Sequence, residues 1–149
     1  MLKPGKLSSD SSIWCGLNRP DLSCETADLT VFGIPYDSDI SGRSGTAKAP
    51  EVLREVSAQS SPFNEEFLSF EDLTIFDAGD FVPSGGIDEY FASIESFTKE
   101  LVSGGHFFIM TGGDHSASIP VLKGIDDALD EDFGIIYIDA HFDLHDEVR

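Results

Sequence analysis

Asp139, His141 and Asp143 stand two residues apart near the end of the chain. In extended backbone, successive side chains point to opposite faces, so this interval turns two carboxylates and one imidazole toward the same point. Such a group repels itself unless a cation sits among its members. His115, in the earlier segment Gly112–Ser116 (GGDHS), ends a neighbouring candidate strand and can reach the same point. Oxygen donors mixed with imidazole suit Mn²⁺, with Ni²⁺, Co²⁺ and Zn²⁺ as weaker alternatives. A carboxylate can bridge two ions, and two ions close together lower the pKa of a water they share. The chemistry this pattern points to is metal binding with an activated water. Other polar residues that end apolar runs read as structural. Asp77 and Asp80 are expected as turn and capping residues. Asp37 and Arg43 are expected as ordinary loop residues, and His106 as a non-ligand.

Residues that must converge need elements to carry them. Residues 1–28 are rich in Ser, Asp and Pro and are expected as an irregular N-terminal arm. From Leu29 onward the chain alternates. Leu29–Ile34 (LTVFGI) is a short apolar run, followed by a helix opening at Pro50. Leu73–Phe76 (LTIF) is a second run, closed by DAGD. Ile87–Val102 carries apolar residues every three or four positions, the period of an amphipathic helix, and Gly104 and Gly105 stop it. Phe107–Met110 (FFIM) is a third run, Pro120–Leu129 a further helix, and Phe133–Ile138 a fourth run that ends in DAHFD. Alternating strand and helix is the pattern of βαβ units. Continuous apolar strands belong to a parallel sheet covered on both faces. Ligands of such sheets bind at the carboxyl ends of the strands, where PYDSD, DAGD, GGDHS and DAHFDLHD all fall.

The bulk numbers agree with a folded, soluble catalyst and narrow its partners. A chain of 149 residues with 40% hydrophobic residues can bury one core. Its 28 acidic residues against 9 basic ones give a formal net charge of −19. That field repels nucleic acid and anionic membranes and suits a cation, whether metal or substrate. Cys15 and Cys24 form no CxxC pair and read as two reduced thiols of a cytoplasmic protein. The first residues hold no apolar leader, and no stretch has the length of a membrane span.

GGDHS followed by DAHFD resembles the first two signature motifs of the arginase/agmatinase ureohydrolases. The pair is far more specific than either half. Gly33–Glu55 (GIPYDSDISGRSGTAKAPEVLRE) is similar to that family's N-terminal G-x-P-[FY]-D segment, with its Gly-rich stretch, Pro and Leu-Arg pair. The resemblance runs from Leu29 to Arg149. It implies a three-layer α/β/α fold of the arginase/deacetylase type with a mostly parallel sheet, and two bridged Mn²⁺ ions. Carried over, His115 binds one ion, His141 the other, and Asp139 bridges them. Asp143 binds the first ion and, as the catalytic residue, accepts a hydrogen bond from the nucleophilic hydroxide. The attack falls on the guanidinium carbon and releases urea and an amine.

The family's later Asp-x-Asp pair, its proton-shuttling His and the acid that holds the guanidinium have no counterpart in residues 1–149. The expected fold is therefore truncated at its C-terminus, with residues 29–149 the N-terminal part of the ureohydrolase domain and an incomplete site. An inactive fragment that acts by binding is the alternative of another class. His145 stands where arginases carry an Asn that recognises the amino-acid head group, and it is taken as a candidate substrate contact. Together with the Gly33–Glu55 segment, it favours agmatine or another small guanidino or formimino cation over arginine, with formimidoylglutamase as the competitor. Family members are typically homo-oligomers.

Overall fold

The computed structural model describes residues 4, 8–38, 44–83 and 85–141. Three parallel strands form the sheet: β1 (Leu29–Ile34), β2 (Ile75–Asp80) and β3 (Phe108–Gly112), in the order β2-β1-β3. Between and after them run α1 (Ala49–Ser57), α2 (Ile87–Ser103) and α3 (Ser118–Asp126). Every residue of β1 is buried, as its unbroken apolar run requires of a central strand.

Its two faces meet different layers. Phe32 and Ile34 enter a core with Tyr90, Ile94, Phe97 and Leu101 of α2 and Val121 of α3. Leu29 and Val31 point the other way, toward Ile75 and the rings and side chains of Trp14 and Leu17. Gly33 lies on that second face. A Cβ there would stand 2.8 Å from Cβ of Pro50, so α1 crosses the sheet at van der Waals contact with bare backbone. Helices α2 and α3 thus cover one face, and α1 with residues 13–18 covers the other. This is the three-layer α/β arrangement with a parallel sheet.

The helices obey local rules. In α2 the buried residues Tyr90, Ile94, Phe97 and Leu101 follow the 3.6-residue period, and Asp88 and Glu89 occupy the first turn, where the helix dipole favours anions. Its end is a Schellman motif: the His106 amide donates to Leu101 O at 2.9 Å and the Gly105 amide to Val102 O at 2.9 Å, with Gly105 at φ 71°. His106 is accordingly a helix-end residue. Pro50 sits in the first turn of α1, where a missing N–H costs nothing. Helix α3 starts at Ser118, two residues before the expected Pro120, because it continues a short 3₁₀ turn over His115–Ala117.

Two expectations are corrected. The DAGD segment does not close β2 but forms its last four residues. The register passes from Val31↔Asp77 to Gly33↔Asp80, so two residues of β2, Ala78 and Gly79, oppose the single Phe32. This is a β-bulge, with Gly79 at φ 84°. Residues three apart normally face opposite ways, but the extra residue returns Asp80 to the side of Asp77. Both then meet Arg54 of α1: Nε donates to Asp77 Oδ2 at 2.7 Å, Nη2 to Asp77 Oδ1 at 2.9 Å and Nη1 to Asp80 Oδ1 at 2.7 Å. Asp77 can lie inside a strand because its charge is met there, and it is not a surface turn residue.

The fourth apolar run, Phe133–Ile138, is not a strand in this structure. It has no pairing partner among the described residues, and Ile136 and Ile138 are 92% and 94% exposed. A strand exists only through the ladder it shares, and this run shares none with β1, β2 or β3.

Candidate metal centre

The site begins where β3 ends. Thr111 Oγ1 donates to Phe32 O at 3.2 Å, which holds the end of β3 against β1. Beyond it, the Gly113 amide donates to Ile34 O at 3.0 Å and the Asp114 amide to Tyr36 O at 2.8 Å. The chain then turns into His115–Ala117, with Asp114 as the cap. Its Oδ1 accepts the Ser116 amide at 3.0 Å and the Ser116 hydroxyl. His115 is the first residue of that turn and its imidazole is about half exposed.

The segment after α3 brings Tyr137 and Asp139 to His115, and His141 to Asp139. The Tyr137 ring stacks on the imidazole at 5.3 Å between centroids and 20° between planes, with its hydroxyl 3.1 Å from Nδ1 and 3.3 Å from Nε2. Asp139 follows at a distance of 3.7 Å between its Oδ2 and His115 Nδ1. Its other oxygen, Oδ1, lies 3.5 Å from His141 Nδ1 and accepts the His141 amide at 2.9 Å. That amide bond, and then the two imidazoles, hold the Asp139 carboxyl below its ordinary pKa. One carboxylate therefore separates two imidazoles and turns one oxygen toward each.

Of the residues singled out above, His115, Asp139 and His141 come together, while Asp143, His145 and Arg43 lie outside the described residues. Asp37 accepts the Gly45 amide at 2.8 Å and closes its own loop. The three assembled donors are of the right kind for Mn²⁺, an oxygen anion and two imidazoles. Their spacing is that of side chains in contact with one another, and no group of three or more among the described residues closes on a single point. Sequence reasoning passed over Tyr137. The signal for it was a phenol two residues before Asp139, the same interval that separates Asp139 from His141. It also passed over the partner of Arg54, because no spacing rule connects an Arg on a helix to two Asp residues more than twenty positions later.

A second concavity, about 530 Å³, opens beside Pro35, Lys48, Glu51, Arg54 and Asp80. Arg54 and Asp80 are bound to each other there, so its charged lining is already neutralised in part. No helix among the described residues is long and apolar enough to cross a membrane.

The three-layer arrangement of helices on a parallel sheet defines an α/β protein, and the match to known families is direct. Residues 27–149 match the arginase family, and the chain belongs to it. It is 36% identical to the agmatinase of Bacillus subtilis (strain 168) over 131 residues, covering 85% of this chain and 43% of that protein. With the agmatinase of Neisseria meningitidis serogroup B the identity is 35% over 128 residues, covering 80% and 40%. Among solved structures, a Trypanosoma cruzi formiminoglutamase with Mn²⁺ superposes with a TM-score of 0.75 at 29% identity, over 83% of this chain and 43% of that one. The agmatine ureohydrolase of Thermoplasma volcanium gives 0.61 at 28% identity, over 74% and 36%. The chain spans about two fifths of the length of the curated relatives it matches.

Proposed function

We propose that this chain carries one half of the dinuclear site of an agmatinase-like ureohydrolase, which converts agmatine and water to putrescine and urea. The observation that carries the reading is the Asp139 carboxylate set between His115 and His141, one oxygen toward each. Residues 29–149 are then the N-terminal part of the catalytic domain, preceded by an arm over 1–28. His115, Asp139, His141 and Asp143 would hold Mn²⁺, which would lower the pKa of a bound water and supply positive charge. Asp139 keeps the two imidazoles apart and oriented. Asp143 accepts a hydrogen bond from the attacking water as its oxygen bonds to the guanidinium carbon. The C–N bond to the alkylamine then breaks, and a proton passes to the departing amine. His145 contacts the substrate. The net charge of −19 draws a cation such as agmatine toward the strand ends. Two free thiols, Cys15 and Cys24, suit a reducing cytoplasm, and the complete protein works as a homo-oligomer.

A formimidoylglutamase activity is the second reading. It is supported by the closer superposition on the Trypanosoma cruzi formiminoglutamase than on the Thermoplasma volcanium enzyme.

The test has two stages. Elemental analysis after Mn²⁺ loading and desalting should find metal on this chain, and His115→Ala and His141→Ala should each lower it. A chain that retains no metal refutes the reading. A chain extended to the length of the relatives is then offered agmatine and N-formimidoylglutamate. Urea with putrescine supports the agmatinase reading, and formamide with glutamate supports the second.

A further inference from the structure

We infer that the loop leaving β1 sets the position of His115, and that Gly113 is the positioning residue through which it acts. This rests on the reading of His115 as a metal ligand.

His115 stands at the very start of the turn that α3 continues. It opens a three-residue turn just past the last strand residue, Gly112. What fixes its backbone lies on both sides. On the strand side, the Gly113 amide donates to O of Ile34, the last residue of β1, at 3.0 Å, and the Asp114 amide to O of Tyr36, in the loop beyond it, at 2.8 Å. On the helix side, the Asp114 carboxylate holds the Ser116 amide at 3.0 Å. His115 is thus clamped between two consecutive anchored residues and a capped turn.

The strand-side anchor requires glycine for room, not for backbone angle. A Cβ on Gly113 would stand 1.9 Å from Tyr36 O, 2.9 Å from Tyr36 C and 3.0 Å from Tyr36 N. All three are backbone atoms, so no side-chain rotation relieves the overlap. The Tyr36 backbone has little freedom to retreat. Its ring packs on Tyr90 at 5.9 Å and on Phe91 at 5.5 Å, both on α2, and its amide donates to Ile34 O at 2.9 Å. The displacement must therefore be taken by the Gly113–His115 segment. Side chains that hold metal ligands in place without touching the ion commonly control affinity by about 10- to 100-fold. A backbone displacement of the ligand itself acts through the same geometry.

The experiment follows ring-proton NMR signals of His115 and His141 in the 149-residue chain while Mn²⁺ alone is added, with amide exchange at Asp114 measured in parallel. Gly113→Ala should raise the Mn²⁺ concentration that half-broadens His115 by about tenfold or more. It should shift His141 less, and it should speed exchange at Asp114, whose bond to Tyr36 O opens. Gly124→Ala is the control for general destabilisation. Its Cβ would meet Glu95 O at 2.5 Å in the α2–α3 contact, far in sequence from the loop, and it should leave the His115 response at the wild-type value. If Gly113→Ala does not fold, Asp114→Ala replaces it. That variant should weaken the His115 response, and Asp114→Asn, which keeps an oxygen acceptor for the Ser116 amide, should restore it.

An unchanged His115 response in Gly113→Ala overturns the positioning role while leaving the metal reading intact. So does an equal shift in Gly124→Ala, or an Asp114→Asn response no better than that of Asp114→Ala. Absence of broadening at either histidine in the wild-type chain removes the metal reading, and the positioning role with it.

Discussion

Replacing Arg54 by alanine tests the argument that α1 is fastened to β2 by charge. The side chain is 12% exposed and its partner Asp77 is 0% exposed, so both sit in a medium that penalises an unmatched charge. Burial alone would lower the Arg54 pKa, but the bonds from Asp77 and then Asp80 outweigh it and the pKa is raised. The substitution removes three hydrogen bonds of 2.7–2.9 Å, and it leaves the Asp77 carboxylate with the Trp14 indole N–H at 2.6 Å and the Gly79 amide at 2.8 Å. Breaking a buried pair from one side costs about 3–5 kcal/mol, and the two remaining donors place Arg54→Ala near the lower figure, about 3 kcal/mol. At about 2–4 °C per kcal/mol for a chain of this size, Tm should fall by roughly 6–12 °C. Urea unfolding followed by fluorescence of Trp14, the single tryptophan, reads the change at the site itself. In the double variant Arg54→Ala/Asp77→Asn no buried anion is left, so part of the loss should return. A loss below about 1 kcal/mol would mean that the network behaves as an exposed ion pair does, and the charge-fastening argument would be wrong.

Two further outcomes follow from the core. Phe32 is fully buried, with Phe97, Phe108 and Phe81 rings at 5.3, 5.6 and 5.9 Å, and Phe32→Ala should cost about 3–5 kcal/mol in the same urea assay. Tyr90 is 3% exposed, and burial first, then Asp80 and Tyr36, push its pKa up to about 12. The unfolded chain releases that proton near pH 10 while the folded chain keeps it, so the contribution is present below pH 10 and is lost as pH rises toward 12. The loss reaches at most about 3 kcal/mol. Tyr90→Phe should remove this alkaline dependence, and an unchanged slope of stability between pH 10 and 12 would assign it to other groups.

Much of the fold was legible in the residues because its signals are local. The order of the six elements is the one that apolar runs and the helical period give, and two match closely in extent: β1 at Leu29–Ile34, and α2 from Ile87 to one residue past Val102. Pro50 and Gly105 mark a helix start and a helix end for reasons contained in the residue itself. The gathering of His115, Asp139 and His141 was also legible. Strand order in βαβ units sends His115, just past β3, to the carboxyl edge of the sheet, and the interval of two sets His141 beside Asp139; no strand leads into Asp139 here, and its place is seen in its contact with His115. What could not be read was anything decided by a distant partner. The bulge at Ala78 and Gly79 turns on Arg54, which is more than twenty residues earlier in the chain. The four-residue run Leu73–Phe76 gave no hint that the strand would continue through two aspartates.

The amino-acid sequence by itself determined the alternation of elements, the acidic field and the identity of the donors, because these depend on residue type and on neighbours a few positions away. Tertiary structure decided which donors are held and by what. Gly113 can approach the Tyr36 carbonyl only because β1 and β3 are adjacent. Asp77 can be buried only because α1 brings a guanidinium to it. Ile136 and Ile138 remain outside the sheet because a strand is a property of two segments and not of one, and no strand among the described residues pairs with theirs.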